Sequence, residues 1–203
     1  MDGAIEFARA MAGGRAIEVA AVALGLANVA LLIRRSIWNY PFGIAMVSLY
    51  AVIFLETKLY ADAGLQVFFF AIQFYGWWSW LRARGSDGLV VVRRLRPVLA
   101  AVYGATALAG SAALGAGLDR LTDAAYPYWD AAIASFSVCA QVMMAKRFLE
   151  NWLVWIAVDF LAIGLFCTKG LGPTAALYAV FLLMSAAGYL SWRQTLPRRM
   201  SAS

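Results

Sequence analysis

The chain has 203 residues, of which 64% are hydrophobic and 14% are charged, and it contains no histidine. This much apolar surface exceeds what a soluble domain of the same length can bury, so the composition indicates a membrane protein. The absence of histidine argues against metal sites and histidine-based acid–base chemistry, and no cofactor is expected. Anionic lipid headgroups of the bilayer account for the net charge of +6, so we expect no nucleic-acid partner.

Windows of about 20 mostly apolar residues predict seven transmembrane helices. Their approximate ranges are 16–33, 38–56, 62–81, 97–117, 129–145, 151–168 and 174–192. Four of the five prolines lie near the start of one of these ranges, where a missing N–H costs least. The segment 1–15 lacks the pattern of a removable signal peptide, so we expect it to be a tail that can lie flat on the membrane.

Basic residues are unevenly divided between the two sides of this topology. The N-terminal tail and the loops after helices 2, 4 and 6 hold five of the 17, and the opposite side holds the rest. Most of the latter lie in a basic loop, residues 82–96, and in the tail 193–203. Because Lys and Arg concentrate on the cytoplasmic side, the N-terminus is predicted outside and the C-terminus in the cytoplasm.

An internal repeat relates the two ends of the chain. A single constant shift, which we call the repeat shift, places Arg34-Arg35 over Lys146-Arg147 and the ending GWWSW (76–80) over GYLSW (188–192). This predicts an all-α protein with two three-helix repeats, 16–81 and 129–192, joined by linker helix 97–117. Because three helices reverse the chain direction, the single linker makes the two repeats parallel, as in SWEET proteins.

Asp159 is the one ionisable side chain well inside a predicted span. A charge at the bilayer centre costs about 2.5 to 3.5 kcal/mol on insertion scales, so Asp159 is expected to face the bundle interior. At about 100° per residue, it shares a helix face with Trp152 and Trp155, and Asn151 lies at the edge of that face. Tryptophan rings beside a carboxylate suit a flat cationic ligand. Alternatively, Asp159 only accepts a hydrogen bond from a neighbouring helix and both tryptophans are interfacial.

Buried amides offer further contacts. Gln73 on helix 3 and Gln141 on helix 5 are candidates for substrate binding, and Gln66 and Asn28 are weaker ones. Such side chains often only bridge helices, each for about 0.6 kcal/mol. Trp77 and Trp80, at the cytoplasmic end of helix 3, are expected to belong to an interfacial belt or a gate.

Three segments resemble the PnuC family of bacterial vitamin transporters. They are WNYPFG (38–43), KLYADAGLQVFFFAIQFYGWWSW (58–80) and ENWLVWIAVD (150–159), and a Gly-Tyr-x-x-Trp ending follows. The resemblance covers about residues 17–193 and implies a SWEET-like homotrimer in the bacterial inner membrane that carries a vitamin such as nicotinamide riboside by facilitated diffusion. It also implies the residue roles. Substrate contacts are Asn151, Trp152, Trp155, Asp159, Gln141 and Gln73, and gate residues are Trp38, Tyr40, Tyr75 and Trp77.

One departure bears on the substrate. A nicotinamide riboside carrier of this family is expected to have tryptophan before the proline, where this chain has Tyr40. Relatives on the same scaffold carry thiamine, riboflavin or deoxynucleosides, and the thiazolium of thiamine also suits the Trp and Asp face. Import of nicotinamide riboside is the first hypothesis and a thiamine or nucleoside-like vitamin carrier the second. An intramembrane enzyme needs a second ionisable group or a nucleophile–base pair near Asp159, which the sequence does not supply. A structural membrane subunit is the fourth possibility.

Overall fold

A computed structural model describes residues 2–56 and 60–196, and these residues form seven α-helices without a β-strand. The helices are α1 (Asp2–Ile33), α2 (Asn39–Glu56), α3 (Tyr60–Leu81), α4 (Pro97–Leu121), α5 (Pro127–Ala145), α6 (Asn151–Thr168) and α7 (Gly172–Gln194). The all-α prediction is therefore confirmed, and most helix ends lie close to those predicted. The basic loop contributes to two isolated β-bridges.

Two helices are longer than predicted. α1 begins at Asp2 rather than near residue 16, because the apolar window marks where the membrane core begins and not where the helix begins. The segment predicted as a separate tail is thus continuous with the first helix. α4 extends to Leu121 rather than 117, because Leu118, Asp119 and Arg120 are good or tolerated helix residues although two of them are charged.

Five of the seven described helices are long and apolar enough to cross a membrane, and the windows of α1, α2, α4, α6 and α7 meet this condition. α3 and α5 contain more Trp, Tyr, Gln, Ser and Asp residues, which lower their mean hydropathy. These two helices also pack against each other. The two helices of lower hydropathy therefore form one of the two contacts between the halves of the chain among the described helices.

The helices pack in two sequential groups. α2 packs against α1 and α3, and α6 packs against α5 and α7. Contacts between the groups run from α3 to α5 and from α7 to α1. Among the helices described, α4 packs against α5 only.

The same hydrogen bond recurs at positions related by the repeat shift. The Trp80 indole donates from Nε1 to the carbonyl oxygen of Met144 at 3.2 Å, and that of Trp192 donates to the carbonyl oxygen of Leu32 at 3.0 Å. Each bond joins the two groups of helices, in opposite directions. Both tryptophans are fully buried, so Trp80 does not belong to an interfacial belt, and its alternative role in a gate stays a prediction.

Two turns at the same end of the bundle also correspond. Arg35, between α1 and α2, and Arg147, between α5 and α6, both adopt positive φ values, 56° and 64°. Left-handed backbone is uncommon for residues other than glycine, so its occurrence at two positions related by the repeat shift is a specific similarity. Asn39 and Asn151 then begin the next helix, and each donates from its side chain to the backbone carbonyl three residues earlier.

The basic loop crosses this end of the bundle and contacts both turns. The N–H of Val90 donates to the carbonyl of Arg35, and the N–H of Arg93 donates to the carbonyl of Arg147. Val90 and Val92 are buried in the hydrophobic core, which also contains Trp80 and Trp192. The loop therefore covers this end of the helix bundle although five of its residues are arginines.

Candidate functional site

Asp159 lies on the buried face of α6 and is 3% exposed, which confirms that it faces the bundle interior. The hydroxyl of Ser185 on α7 donates to its Oδ2 atom at 3.0 Å. This bond is the helix-bridging contact that the alternative interpretation of Asp159 expected. A buried carboxylate costs free energy unless it is hydrogen-bonded or paired, and Ser185 supplies part of that compensation.

Trp152 and Asn151 form the buried start of α6. Trp152 is 1% exposed, so its interpretation as an interfacial tryptophan is wrong. Its ring stands edge-on to Trp192, with centroids 5.4 Å apart, and lies directly over Gly188. A Cβ atom at Gly188 would lie 2.6 Å from the Trp152 ring, so this glycine is what allows the approach.

Trp155 is half-buried and packs against the hydrophobic core cluster. It lies one turn after Trp152 on the α6 face that leads to Asp159. The face predicted from the helical wheel, two tryptophans followed by a carboxylate, is therefore directed inward at Trp152 and Asp159 and partly inward at Trp155.

Gln73 on α3 is 5% exposed and lies against Gly43 on α2. A Cβ atom at Gly43 would clash with the Gln73 amide and lie 2.8 Å from Nδ2 of Asn28. Asn28 in turn donates to the carbonyl of Asn39 at 2.7 Å. Gly43 thus gives space to two buried amides from α1 and α3. Gln141 is half-buried on α5.

The predicted gate residues do not all lie in one place. Tyr40 is 2% exposed, stacks on Trp77 with centroids 6.4 Å apart and meets Trp80 edge-on at 5.4 Å. Trp38 is instead 65% exposed. Tyr75 is 42% exposed and contacts the exposed Trp78. The structure brings Tyr40 and Trp77 into the aromatic cluster and leaves Trp38 and Tyr75 on the surface.

Several buried polar atoms in and around this cluster have no hydrogen-bond partner among the described residues. They are Tyr40 Oη, Trp77 Nε1, Asn151 Oδ1, Trp152 Nε1 and Arg147 Nε. Buried polar groups are nearly always hydrogen-bonded, so a cluster of exceptions requires a specific explanation. Three donors from aromatic side chains and one amide acceptor can bind a flat ligand that itself carries both donors and acceptors.

Arg147 lies in the turn before α6 and connects the two groups of helices. Its Nη1 atom donates to the carbonyl of Ser79 at 2.6 Å and to the Ser79 hydroxyl at 3.1 Å. Burial, and then the nearby charge of Arg93, lowers the pKa of the Arg147 guanidinium from its usual range. The turn that precedes Asn151 and Trp152 is therefore fixed to α3.

Reasoning from the sequence missed three residues that contact these candidates: Ser185, Asn39 and Trp192. Ser185 is a serine in an Ala- and Leu-rich helix and gives no signal by itself. Asn39 and Trp192 had a signal, since the repeat shift relates them to Asn151 and Trp80, which were singled out.

Membrane-length helices around a buried carboxylate, aromatic rings and amides define the class, a multi-pass α-helical membrane transport protein. More particularly, the chain belongs to the family described as "Nicotinamide mononucleotide transporter", which matches residues 15–194. This is a bacterial transporter family and not an enzyme family.

Two curated relatives and one solved structure illustrate the similarity. The nicotinamide riboside transporter PnuC of Escherichia coli (strain K12) is 27% identical over 202 residues, which cover 87% of this chain and 84% of that protein. The riboflavin/roseoflavin transporter RibM of Streptomyces davaonensis is 29% identical over 178 residues, covering 83% and 80%. The crystal structure of the vitamin B3 transporter PnuC superposes with a TM-score of 0.73 at 28% identity, covering 88% of this chain and 81% of that one.

Proposed function

We propose that the protein imports nicotinamide riboside by facilitated diffusion with alternating access. The observation that carries the proposal is the buried Asp159 on the same α6 face as Trp152, in a chain of the nicotinamide mononucleotide transporter family. The pyridinium ring of nicotinamide riboside is flat and cationic, so it can stack on tryptophan while a carboxylate balances its charge.

The proposed substrate contacts are Asn151, Trp152, Trp155 and Asp159 on α6, with Gln73 and Gln141 on the other side. The free polar atoms support this assignment, because the carboxamide and the ribose hydroxyls of the substrate are donors and acceptors. Trp152 Nε1 and Asn151 Oδ1 are two such atoms, each buried and unpaired among the residues that the structure describes. Gln73 is buried against Gly43 of α2, within the first group of helices.

Movement between the two groups of helices is the proposed basis of alternating access. The triplets are the repeats 16–81 and 129–192, parallel to one another and joined by the linker helix, as in a SWEET-like 3+1+3 fold. The reciprocal bonds from Trp80 and Trp192, which the repeat shift relates, support this arrangement. In the described state the basic loop holds both turns at one end, which favours a state closed at that end. Tyr40 and Trp77 are the proposed inner gate residues, and Trp38 and Tyr75 lie at its rim.

The proposed orientation has the N-terminus outside and the basic loop with the C-terminus in the cytoplasm, in the inner membrane of a bacterium. The distribution of Lys and Arg supports it. Assembly as a homotrimer is a further proposal that rests on the family resemblance. Because the predicted spans contain no basic residue near Asp159, the chain offers no obvious proton relay, which favours passive transport down a gradient.

A second candidate function is transport of another vitamin, because a relative of similar identity is named a riboflavin/roseoflavin transporter. Thiamine is the cationic alternative that the Trp and Asp face also accommodates. Tyr40, in place of the tryptophan expected for a nicotinamide riboside carrier, is the departure that keeps this alternative open.

A fluorescence titration tests the proposal. The purified protein, whose eight tryptophans report on binding, is titrated with nicotinamide riboside, thiamine, riboflavin and a neutral nucleoside. We expect saturable quenching by nicotinamide riboside that Asp159→Asn weakens by at least about tenfold, and a much smaller change for the neutral nucleoside. Asp119→Asn, an exposed carboxylate on α4, is the matched control.

Each result of the titration leads to a different conclusion. Quenching by thiamine or riboflavin alone identifies that vitamin as the substrate and leaves the proposed binding site unchanged. Equal weakening of cationic and neutral ligands by Asp159→Asn removes the charge argument and leaves Asp159 with its helix-bridging bond to Ser185. The absence of a fluorescence change with all four compounds contradicts the proposed substrate site.

A further inference from the structure

A groove lies outside the substrate site, between α4 and α6, and α5 forms its floor. Its volume is about 260 Å³, and the floor consists of Phe136, Cys139 and Met143. It exists because α4 packs against α5 only among the described helices, so α4 and α6 diverge on either side of it. We call it the α4 groove.

The walls of the α4 groove are apolar. Leu153 and Val154 of α6 form one side, and small residues of α4, including Gly104, form the other. A Cβ atom at Gly104 would meet no atom within 4 Å, so the space beside α4 is open. The groove is smaller than the pockets that enclose small-molecule ligands, which begin at about 300 Å³. Because helices of this chain are surrounded by lipid, its dimensions and lining suit a hydrocarbon chain.

One end of the groove is positively charged. Tyr103 lines the groove, and its hydroxyl accepts a hydrogen bond from Nζ of Lys146 at 3.2 Å. Leu95 lines the same end and lies between the exposed Arg94 and Arg96. α4 also begins here at Pro97, where its first N–H groups and the helix dipole favour an anion.

One carboxylate is present at this end as well. Glu150 lines the groove, but its Oε2 atom accepts a hydrogen bond from the N–H of Leu95 at 2.8 Å. Lys146 and the two arginines beside Leu95 therefore outnumber the one acid, whose carboxylate is already engaged, and the net charge of the residues at this end is positive.

We propose that the α4 groove binds one acyl chain of an anionic phospholipid, whose phosphate contacts Lys146 and the first turn of α4. Basic pockets between transmembrane helices are where anionic headgroups bind. The lipid fills the α4 groove and fixes α4, the linker helix, against the second helix triplet. This inference does not depend on which vitamin is transported.

Native mass spectrometry of the full-length purified protein tests this site. Phosphatidylglycerol and phosphatidylcholine with identical acyl chains are added separately, and the lipids retained per chain are counted. We expect preferential retention of phosphatidylglycerol by the natural sequence. Gly104→Leu places a large side chain where a Cβ atom meets no atom within 4 Å, and it should reduce retained phosphatidylglycerol at least about fivefold. Gly117→Leu is the matched control on the same helix, because a Cβ atom there also meets nothing within 4 Å.

A substitution at the proposed phosphate contact separates the effect of charge on lipid binding from the effect of groove shape. Lys146→Gln should lower the preference for phosphatidylglycerol over phosphatidylcholine about fivefold, the effect of one basic side chain near the surface, without lowering phosphatidylcholine binding. Equal retention of the two lipids by the natural sequence, or equal retention of phosphatidylglycerol by Gly104→Leu and Gly117→Leu, overturns the proposal. A change in the number of chains per particle with Gly104→Leu alone also overturns it and makes the groove a contact between copies. If Gly104→Leu is not monodisperse, Ala100→Leu at the exposed rim of the groove answers the same question.

Discussion

Trp80 and Trp192 pack against each other with ring centroids 5.8 Å apart, and each hydrogen-bonds a backbone carbonyl in the opposite group of helices. The repeat shift relates the two acceptors, Leu32 and Met144, just as it relates the two tryptophans. Each group of helices therefore holds the other through the same residue type at the same position. Such a reciprocal contact resists separation of the groups at the end that the basic loop covers.

Trp80→Phe and Trp192→Phe should destabilise the protein by similar amounts. Each variant removes one hydrogen bond, worth about 0.5 to 1.5 kcal/mol, because the acceptor carbonyl keeps its second bond, from the N–H of Arg147 or of Arg35. Unfolding in mixed micelles with increasing SDS measures the free energy of unfolding. Trp78→Phe, at a position 51% exposed, is the control and should change it by less than about 0.5 kcal/mol. Loss of stability in only one of the two buried variants contradicts the reciprocal role.

Gly76 and Gly188 should not accept alanine. A Cβ atom at Gly76 would lie 2.6 Å from the Tyr40 hydroxyl oxygen, and one at Gly188 would lie at the same distance from the Trp152 ring. Overpacking of this kind costs about 1 to 3 kcal/mol, more than alanine gains in helix propensity. Gly117→Ala has open space and should be neutral or stabilising. Thermal unfolding in detergent of the three variants measures the difference, and equal melting temperatures contradict the close packing.

Much of the fold could be predicted because the cost of polar groups in lipid constrains the sequence. Helix positions followed from apolar windows, and the burial of Asp159 followed from the cost of a carboxylate in lipid. Its partner Ser185 could not be predicted, because the contact depends on how α7 is rotated against α6. The acceptors of Trp80 and Trp192 are backbone carbonyls, which leave no signal in the sequence. For the same reason the sequence does not distinguish the buried Trp80 from a tryptophan of an interfacial belt, and it does not indicate that Trp38 and Tyr75 face outward.

The Ser185 hydroxyl should contribute more to stability when residue 159 is a carboxylate than when it is an amide. Hydrogen bonds to charged groups contribute about 1.5 to 3 kcal/mol, so Ser185→Ala should lower the free energy of unfolding by this amount. In the Asp159→Asn background the same change should cost less than half as much. A double-mutant cycle by SDS unfolding gives the coupling free energy. Ser48→Ala, whose hydroxyl donates within its own helix, is the control, and additive effects of the two site mutations refute the coupling.

The basic loop should be rigid where it contacts the two turns and mobile at its tip. The N–H of Leu149 donates to the carbonyl of Arg93 at 2.8 Å, and the N–H of Arg93 donates to the carbonyl of Arg147. The amide hydrogens of Leu149 and Arg93 should therefore exchange slowly with deuterium. The amide hydrogen of the exposed Ser86 should exchange fast. Glu150→Ala removes the acceptor of the Leu95 N–H and should speed its exchange about tenfold, equivalent to about 1.5 kcal/mol. Glu150→Gln keeps an acceptor and should speed it less. Uniformly fast exchange across 82–96 contradicts the role of this loop as a cover.

Tyr40→Phe distinguishes a structural hydroxyl from one that binds substrate. The Tyr40 hydroxyl is buried and has no hydrogen-bond partner among the described residues, so removing it should not destabilise the empty protein and should raise its free energy of unfolding by up to about 1 kcal/mol. If this hydroxyl contacts the vitamin, the same variant should bind it about five- to tenfold more weakly. Tyr50→Phe, at a half-buried tyrosine that stacks on Phe54, is the control and should leave binding unchanged. Thermal unfolding and fluorescence titration of both variants measure the two effects separately. A more stable protein with unchanged affinity assigns Tyr40 to packing alone, whereas a more stable protein with weakened affinity places the hydroxyl in the binding site, at the position where the family resemblance leads us to expect a tryptophan.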